Sequence, residues 1–588
     1  MSSIPLFTRV FTSLSFIACA ACVSTAPGAD SSSAPATFYT VTGEIALSRH
    51  EPRVAALEYA AASETDKTPS LLQHATAVTE QCLQPSLTAV VADRWIDADP
   101  SALDARRAAA RAALNLFKID RSAAYYRTVL TTSSLGTAEF AALETELASS
   151  DNVYGARQLA DQLAHDFPAS EAALRMQAFA ALRADDPAAA VRSFNAAIAR
   201  APAEPPEPNT PGVVQQGQEP RSAEPRSAEQ RSAQQHEMEL GLWRARILSG
   251  DSDEPLAQGR ARLEQADTPA NRLDYALLLL AAQQNSLAEA QLSILSRDKA
   301  SAPVALRLLA LLDFQDDRLD EASVRFAELL ATGKFLDDAL YYLGLIAERH
   351  GDLERALRFY AQVQNGDYAV PALLRAATIL RAHGAAPAAE DLLDRLVEDE
   401  PTRAPEILAS RARIYADAGD AQQAIAVLDR ATLQYPDSVE LRYAMASVLE
   451  EQGKVPLALH ELKAVMELRP TDPAALNAYG YTLADHGRDL GLARKLIERA
   501  HAAAPKSAAI LDSYGWVLFR QGHGEEALTY LNAAYADDRG ADIAAHLGEV
   551  LWHLGKQVEA DRIWTEGSRG DPDNALLKAT RLRLHAAH

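Results

Sequence analysis

Three short stretches resemble motifs that bind cofactors or metals. The sequence GHGEEA at 522–527 has the spacing of a dinucleotide fingerprint, but it follows a helical pattern, whereas the fingerprint requires strand, turn and helix in that order. The TGKF stretch at 332–335 lacks the Ser or Thr and the upstream glycine of a phosphate loop. The HELKA stretch at 460–464 lacks the second histidine of a metalloprotease helix. We therefore expect no cofactor and no metal at these places.

The histidines do not group into a recognisable site either. His350, His383, His486 and His523 lie near predicted turns and are 33 residues or more apart along the chain. The ligands of structural zinc sites typically come from short, closely spaced motifs, and these histidines form no such motif. No Ser-His-Asp or Cys-His arrangement stands out, although a triad assembled in space leaves no local pattern. The sequence favours a protein that is not an enzyme.

The positions of small residues show a regular period. Successive steps are 33 to 35 residues in the series Ala310, Gly344, Ala377, Ala412, Ala446, Gly480, Gly515 and Gly548. A second series follows twelve residues behind the first, at Ala322, Ala356, Ala389, Ala424, Ala458, Ala527 and Ala560. A period near 34 with paired helical units is the signature of the tetratricopeptide repeat. Such repeats form surfaces that bind partners.

The interval 508–540 shows how one unit is built. Apolar residues of the first helix fall on one face at i, i+3, i+4 and i+7 spacing, at Leu511, Tyr514, Gly515 and Leu518. Gly522 is placed to end that helix, because glycine takes positive φ at little steric cost. Gly515 and Ala527 lie where the two helices meet, so a larger side chain would push their axes apart.

This period divides the chain into regions. We predict an all-α superhelical solenoid of helix-turn-helix units, with ten repeats in the C-terminal solenoid (237–588) and degenerate repeats at 38–200. Between them, 201–236 is rich in Pro, Glu and Gln and cannot bury enough apolar area to order itself. We expect this insert to be a disordered spacer, with a docking motif as the alternative.

Charge argues against one class of partner. The net charge of −23 comes without clusters of Lys and Arg, which phosphate binding needs, so we expect no nucleic-acid partner. Hydrophobic residues make up 48% of the chain and aromatics only 6%, which suits thin helix-on-helix layers. The acidic surface favours either simple solubility or a basic protein partner.

The N-terminus resembles a bacterial export signal. Arg9 precedes a short apolar stretch too short to span a bilayer as a helix, and residues 1–21 are predicted to be a lipoprotein signal peptide. The sequence SFIACAAC resembles a lipobox, so Cys22, or alternatively Cys19, is the predicted lipidation site. A flexible tether follows at 22–37. The alternative is an ordinary cleaved signal; either way Cys82 has no partner for an internal disulfide.

The predicted binding surface is the groove lined by the first helices of the last repeats. The residues expected to face it are Asn477, Tyr481, Asp485, Asp512, Trp516, Arg520, Glu549, Trp552 and His553. Trp, Tyr and Arg are frequent anchors of interfaces. The alternative is that Trp516 and Trp552 only fill space between adjacent repeats.

Two long stretches carry a family resemblance. The segment DPAALNAYGYTLADHGRDLGLARKLIERAHAAAPKSAAILDSYGWVLFRQGHGEEALTYLNAAY, with AAHLGEVLWHLGK after it, resembles the C-terminal repeats of a proteobacterial tetratricopeptide lipoprotein family. The segments FYTVTGEIALSRHEPRVAALEYAAAS and DPSALDARRAAARAALNLFKIDRSAAYYRTVL are similar to its N-terminal part. The insert at 201–236 departs from that pattern.

The resemblance implies a location and partners. It implies an adaptor anchored by lipid in the outer membrane and facing the periplasm, since no aspartate follows either candidate cysteine. It also implies binding to the periplasmic carboxyl-terminal processing protease and delivery of protein substrates, chiefly peptidoglycan hydrolases. A scaffold for envelope assembly or export, serving polysaccharide, pilus or outer-membrane proteins, is the alternative.

Overall fold

The structure, a computed structural model, describes residues 34–133, 136–201 and 228–586. These ranges are built of α-helices joined by short turns and contain no β-strand, as the sequence predicted. Among the helices of these ranges, none has the length and apolar character needed to cross a membrane. The signal peptide 1–21, the candidate lipidation sites Cys19 and Cys22 and most of the tether lie outside the described residues.

The helices follow one another in pairs, and five pairs precede the insert; the two helices pack on each other in all of these pairs but the fourth. They are α1 (Ala36–Ser48), α2 (Pro52–Thr65), α3 (Pro69–Gln81), α4 (Pro85–Ala98), α5 (Leu103–Asn115), α6 (Ile119–Thr132), α7 (Thr137–Ser149), α8 (Val153–Asp166), α9 (Glu171–Arg183) and α10 (Pro187–Ile198). In the first turn His50 takes the positive φ of 55° that glycine adopts in most other units.

Ten further pairs follow the insert, the number of repeats expected there. The first five pairs are α11 (Ala228–Leu248), α12 (Asp253–Gln265), α13 (Pro269–Ala281), α14 (Asn285–Leu295), α15 (Ala302–Gln315), α16 (Leu319–Ala331), α17 (Leu336–Arg349), α18 (Leu353–Tyr360), α19 (Ala369–Ala382) and α20 (Ala386–Asp399). The other five, with a last single helix, are α21 (Ala404–Asp417), α22 (Ala421–Gln434), α23 (Val439–Glu451), α24 (Val455–Leu468), α25 (Pro473–Asp485), α26 (Leu490–Ala503), α27 (Ala508–Arg520), α28 (Gly524–Asp537), α29 (Ala541–His553), α30 (Gln557–Gly570) and α31 (Ala575–Ala586).

The predicted boundaries of the insert need a correction. Helix α11 begins at Ala228, so residues 228–236 are helical although disorder was predicted through 236. The last proline of the insert is Pro225, and the residues after it are mainly Ala, Glu, Gln and Arg, which favour helix. Helix α1 likewise begins at Ala36, so the last two residues of the predicted tether, 36 and 37, are helical. Residues 202–227 lie outside the described ranges.

The small residues of the period lie where paired helices touch. A Cβ atom added to Gly515 would come within 2.5 Å of Leu531 Cγ and 2.9 Å of the Ala527 carbonyl oxygen. The same addition at Gly548 would collide with the indole of Trp564. Gly522 has a φ of 90° just after α27, as the sequence predicted for the end of that helix. Close helix contact therefore explains why the period is kept by Gly and Ala.

The first helices of successive pairs lie beside each other along the stack. Helix α27 contacts both α25 and α29, and α29 contacts α31. The buried apolar residues form a series of clusters that runs along the stack, the largest spanning α25 to α31. This arrangement aligns the residues of several repeats on one face.

Candidate protein-binding groove

A groove of about 800 Å³ lies on the face formed by α25, α27, α29 and α31. Five of the nine predicted binding residues line it: Asp485, Trp516, Arg520, Glu549 and His553. Its other lining residues are Phe519, His546, Leu576, Ala579, Thr580, Leu582, Arg583 and Ala586. The groove is thus bounded on one side by α31, the single helix that follows the last complete pair.

Trp516 connects three repeats. Its indole Nε1 donates a hydrogen bond to Asp485 Oδ1 over 3.1 Å, and its ring stacks on His546 with 4.3 Å between ring centroids. The guanidinium of Arg520 lies 5.6 Å from the Trp516 ring centroid and donates to the Asp485 backbone carbonyl. Since Trp516 is only 5% exposed, it fills space between repeats and presents one edge to the groove.

A buried His–Asp pair supports the floor of the groove. His546 Nδ1 lies 2.8 Å from Asp512 Oδ2, and Tyr481 Oη lies 3.4 Å from His546 Nε2. Burial lowers the pKa of His546, but the charge and hydrogen bond of Asp512 outweigh burial, so the pKa lies above its usual value. Burial, with the charges of Asp485 and Asp512, raises the pKa of Tyr481. Asp512 and Tyr481 therefore act beneath the groove and do not line it.

His546 was missed in the sequence. Asp512 lies three residues before Gly515 and corresponds to Asn477 in the preceding repeat. His546 does not continue this series, because it lies only two residues before Gly548. A comparison of equivalent positions would therefore not have identified it. Asn477 itself is half-buried, and the described part of the chain offers its Oδ1 no hydrogen-bond partner.

At the far end of the groove, charge is contributed by α29 and α31. Arg583 donates to Glu549 Oε2 over 2.6 Å, and His553 Nε2 lies 3.9 Å from Glu549 Oε1. Glu549 is buried, so Arg583 supplies the partner that a buried carboxylate needs. Arg583 and Arg520 thus border the groove alongside its aromatic side chains.

Trp552 is not brought into the groove. Its ring packs 5.5 Å from that of Trp564 and 4.7 Å from that of His585, measured between centroids. These contacts place it in the seam between α29, α30 and α31, which agrees with the space-filling alternative. The apolar aromatic surface of the groove comes instead from Trp516 and Phe519.

One group of side chains has the spacing of a metal site. The ligand atoms of Glu450, Asp485 and His486 lie within 4.8 Å of one another, and all three residues are half-buried. His486 Nε2 lies 2.7 Å from Glu450 Oε1, while Asp485 already accepts a hydrogen bond from Trp516. These residues therefore form a hydrogen-bonded cluster next to the groove.

Parts of the chain match tetratricopeptide-repeat family models and known proteins. Family models described as tetratricopeptide repeat match residues 415–480, residues 374–439 and 515–575, and residues 338–365. A TPR repeat-containing protein of Pseudomonas aeruginosa is 35% identical over 214 residues, 36% of this chain and 36% of that protein. The probable biofilm formation methyltransferase WspC of Pseudomonas putida is 36% identical over 104 residues, 18% of this chain and 24% of that protein. The chain thus spans only about a quarter to a third of the length of these relatives.

Solved structures of repeat proteins are also similar. A tetratricopeptide repeat protein of Parabacteroides merdae shares 14% identity at a TM-score of 0.33, over 42% of this chain and 98% of that one. Yeast Tom70 shares 13% identity at a TM-score of 0.32, over 94% of this chain and 95% of that one. The matched repeats and the paired helices identify the chain as a tetratricopeptide-repeat solenoid, an architecture typical of proteins that bind other proteins.

Proposed function

We propose that this chain is a lipid-anchored scaffold of the outer membrane that binds a periplasmic carboxyl-terminal processing protease and presents protein substrates to it. The observation that carries the proposal is the groove on α25, α27, α29 and α31. It combines the aromatic edge of Trp516 with Arg520 and Arg583, the kinds of side chain that anchor protein interfaces.

The position of the groove supports the same conclusion. It lies within and just beyond the C-terminal segments 472–535 and 544–556, which resemble the repeats of the adaptor lipoproteins. A long stack of repeats has room for a protease and a substrate together, and holding both raises their effective concentration. A role as scaffold needs no catalytic group of its own.

The test combines binding with substrate turnover. The full chain, solubilised from envelopes, is incubated with the processing protease of the same bacterium and a peptidoglycan hydrolase. We expect the protease to co-purify with the chain and hydrolase degradation to accelerate at least tenfold. Absence of both binding and acceleration in the wild-type chain would overturn the proposal.

A variant locates the binding surface. Arg520→Glu reverses the charge beside Trp516, and we expect it to weaken protease binding at least tenfold. Arg562→Glu is the matched control, because Arg562 is exposed on α30 and pairs with Glu566 in the next turn. If both variants bind equally well while the wild type is active, the protease uses another surface.

The membrane anchor is tested separately. We expect Cys22→Ser to abolish labelling with radioactive palmitate and to release the chain from the membrane fraction, while Cys19→Ser leaves both unchanged. The reverse pattern assigns the anchor to Cys19. Labelling that survives the double substitution contradicts the lipoprotein proposal.

A further inference from the structure

Two turns about 350 residues apart in sequence lie in contact. The first joins α3 to α4, and the second joins α22 to α23. The Gln84 side-chain amide donates to the Gln434 carbonyl oxygen over 2.7 Å. Ser86 donates twice to Asp437, from its backbone N–H to Oδ2 over 3.0 Å and from its hydroxyl to Oδ1 over 2.9 Å. The N-terminal repeats therefore touch the middle of the C-terminal solenoid.

The polar groups in this contact are well satisfied. Gln84 is fully buried, its Oε1 accepts from Arg53 over 2.7 Å, and its amide also donates to the Cys82 carbonyl oxygen. Both carboxylate oxygens of Asp437 are engaged by Ser86. Buried polar groups with a full set of partners are typical of specific contacts, since leaving such groups unpaired is costly.

Apolar residues complete the contact. Leu83, at a positive φ of 54°, leaves its own repeat and packs against the buried cluster of α21–α24. Tyr435 belongs to that cluster, while Cys82 belongs to the cluster of the first repeats and is only 4% exposed. Burial, with the nearby thiol of Cys82, raises the pKa of Tyr435 to about 12. The two clusters thus meet at Leu83, Cys82 and Tyr435.

A chamber of about 1190 Å³ lies beside this contact. Glu80, Arg111 and Asp151 line it from the N-terminal repeats, and Arg403, Glu406 and Glu440 line it from the C-terminal solenoid. A solenoid without a contact between distant repeats leaves its inner face open. Here the N-terminal repeats lie across the N-terminal ends of α21 and α23.

We propose that Leu83, Gln84 and Ser86 with Gln434, Tyr435 and Asp437 form a clasp that holds the superhelix closed and, on opening, parts the two walls of the chamber and frees the surfaces that they cover. The clasp is small and is built from two turns, so its opening leaves the helix pairs on both sides intact. The state of the clasp therefore controls which inner surface the scaffold offers. This inference does not depend on the identity of the partner.

The thiol of Cys82 provides a probe of opening. The chain contains three cysteines, so the full chain carrying Cys19→Ser and Cys22→Ser keeps Cys82 alone. Burial raises the pKa of Cys82 to about 11, and exposure would return it towards its ordinary value and speed reaction with a thiol reagent. In this background we compare Asp437→Ala with Asp391→Ala, which removes the same charge from an exposed position on α20.

We expect Asp437→Ala to react with Ellman's reagent at pH 8 at least tenfold faster than the parent, and to have a larger radius of gyration in X-ray scattering. Helical content should equal that of the control, and the thermal midpoint should stay within about 2 °C of it, because no helix pair is altered. Equal rates in the two variants would overturn the clasp. Faster reaction without a larger radius would also overturn it, because it indicates fraying of one turn alone.

A cross-link keeps the test informative if Asp437→Ala does not fold. In a chain with Cys82→Ala added, Ser86→Cys and Asp437→Cys place two thiols at the two sides of the clasp. We expect mild oxidation to join them within one chain and to hold the radius of gyration at its closed value. Failure to form this disulfide in folded protein means that the two turns do not meet, and contradicts the proposal.

Discussion

Single residues at the C-terminal end of the solenoid combine structural and recognition roles. Trp516 is buried between repeats, yet its edge and Arg520 border the groove. His546 and Asp512 lie beneath them as a buried pair. Substitution of Trp516, His546 or Asp512 would change the shape of the groove as well as the stability of the chain. Arg520 is therefore the better choice for testing binding.

The His546–Asp512 pair makes local stability depend on pH. A raised pKa in the folded state means that the pair stabilises fully below the unfolded value near 6.5 and loses this contribution as pH rises through the folded value. We expect Asp512→Asn to cost about 1–3 kcal/mol at pH 6 and less at pH 9. Hydrogen exchange of α27 and α29 at the two pH values measures this loss of stability.

The control for this prediction is an exposed His–Asp pair. Asp561 lies 3.1 Å from His585, and both side chains are nearly half exposed. We expect Asp561→Asn to change stability by less than about 0.5 kcal/mol at either pH. A loss of equal size in the two variants would show that burial of the first pair contributes nothing.

At the scale of helices, the sequence and the structure agree where small residues fix the packing. The period placed Gly515 and Ala527 at a helix contact, and the structure has them there. The period could not place Trp552, because its packing on Trp564 and His585 depends on α31, which belongs to no complete repeat. It also could not reveal the clasp, since a repeat pattern describes only neighbouring pairs.

The contact between α27 and α28 gives a direct test of that agreement. Ala527 is fully buried against α27, so we expect Ala527→Leu to overpack the pair and destabilise it by about 1–3 kcal/mol. Ala533→Leu adds the same side chain at an exposed position of α28. Hydrogen exchange of the two helices is compared, and equal protection in both variants would mean that the register is wrong.

At the scale of the whole molecule, the N-terminal repeats and the C-terminal solenoid share the acidic chamber. Burial, with the charges of Glu406 and Asp151, raises the pKa of Glu440 to about 7. Asp151 belongs to the N-terminal repeats, whereas Glu406 and Glu440 belong to the solenoid. Ionisation of Glu440 therefore opposes the closed arrangement.

The pH dependence follows from that raised value. The folded chain holds a proton on Glu440 that the unfolded chain releases near pH 4.5, so stability falls as pH rises from about 4.5 to 7 and then levels off. We expect Glu440→Gln to raise stability at pH 8 by less than about 1 kcal/mol, because the side chain is more than a third exposed. Thermal unfolding at pH 5 and pH 8 measures the difference.

Glu398→Gln, at an exposed position of α20, controls for the loss of a negative charge. The expected result is a gain in stability at pH 8 in Glu440→Gln alone. Equal gains in both variants would assign the effect to the net charge of the chain and not to the chamber.

The clasp also bears on the order in which the chain folds. Neighbouring helix pairs form from residues close in sequence, but the hydrogen bonds of Gln84 and Ser86 await residues made some 350 positions later. Ring closure over such a span carries an entropic cost that local contacts do not. The first repeats are therefore made with Leu83 uncovered, so that a newly made chain presents to chaperones an apolar side chain that the finished molecule partly covers.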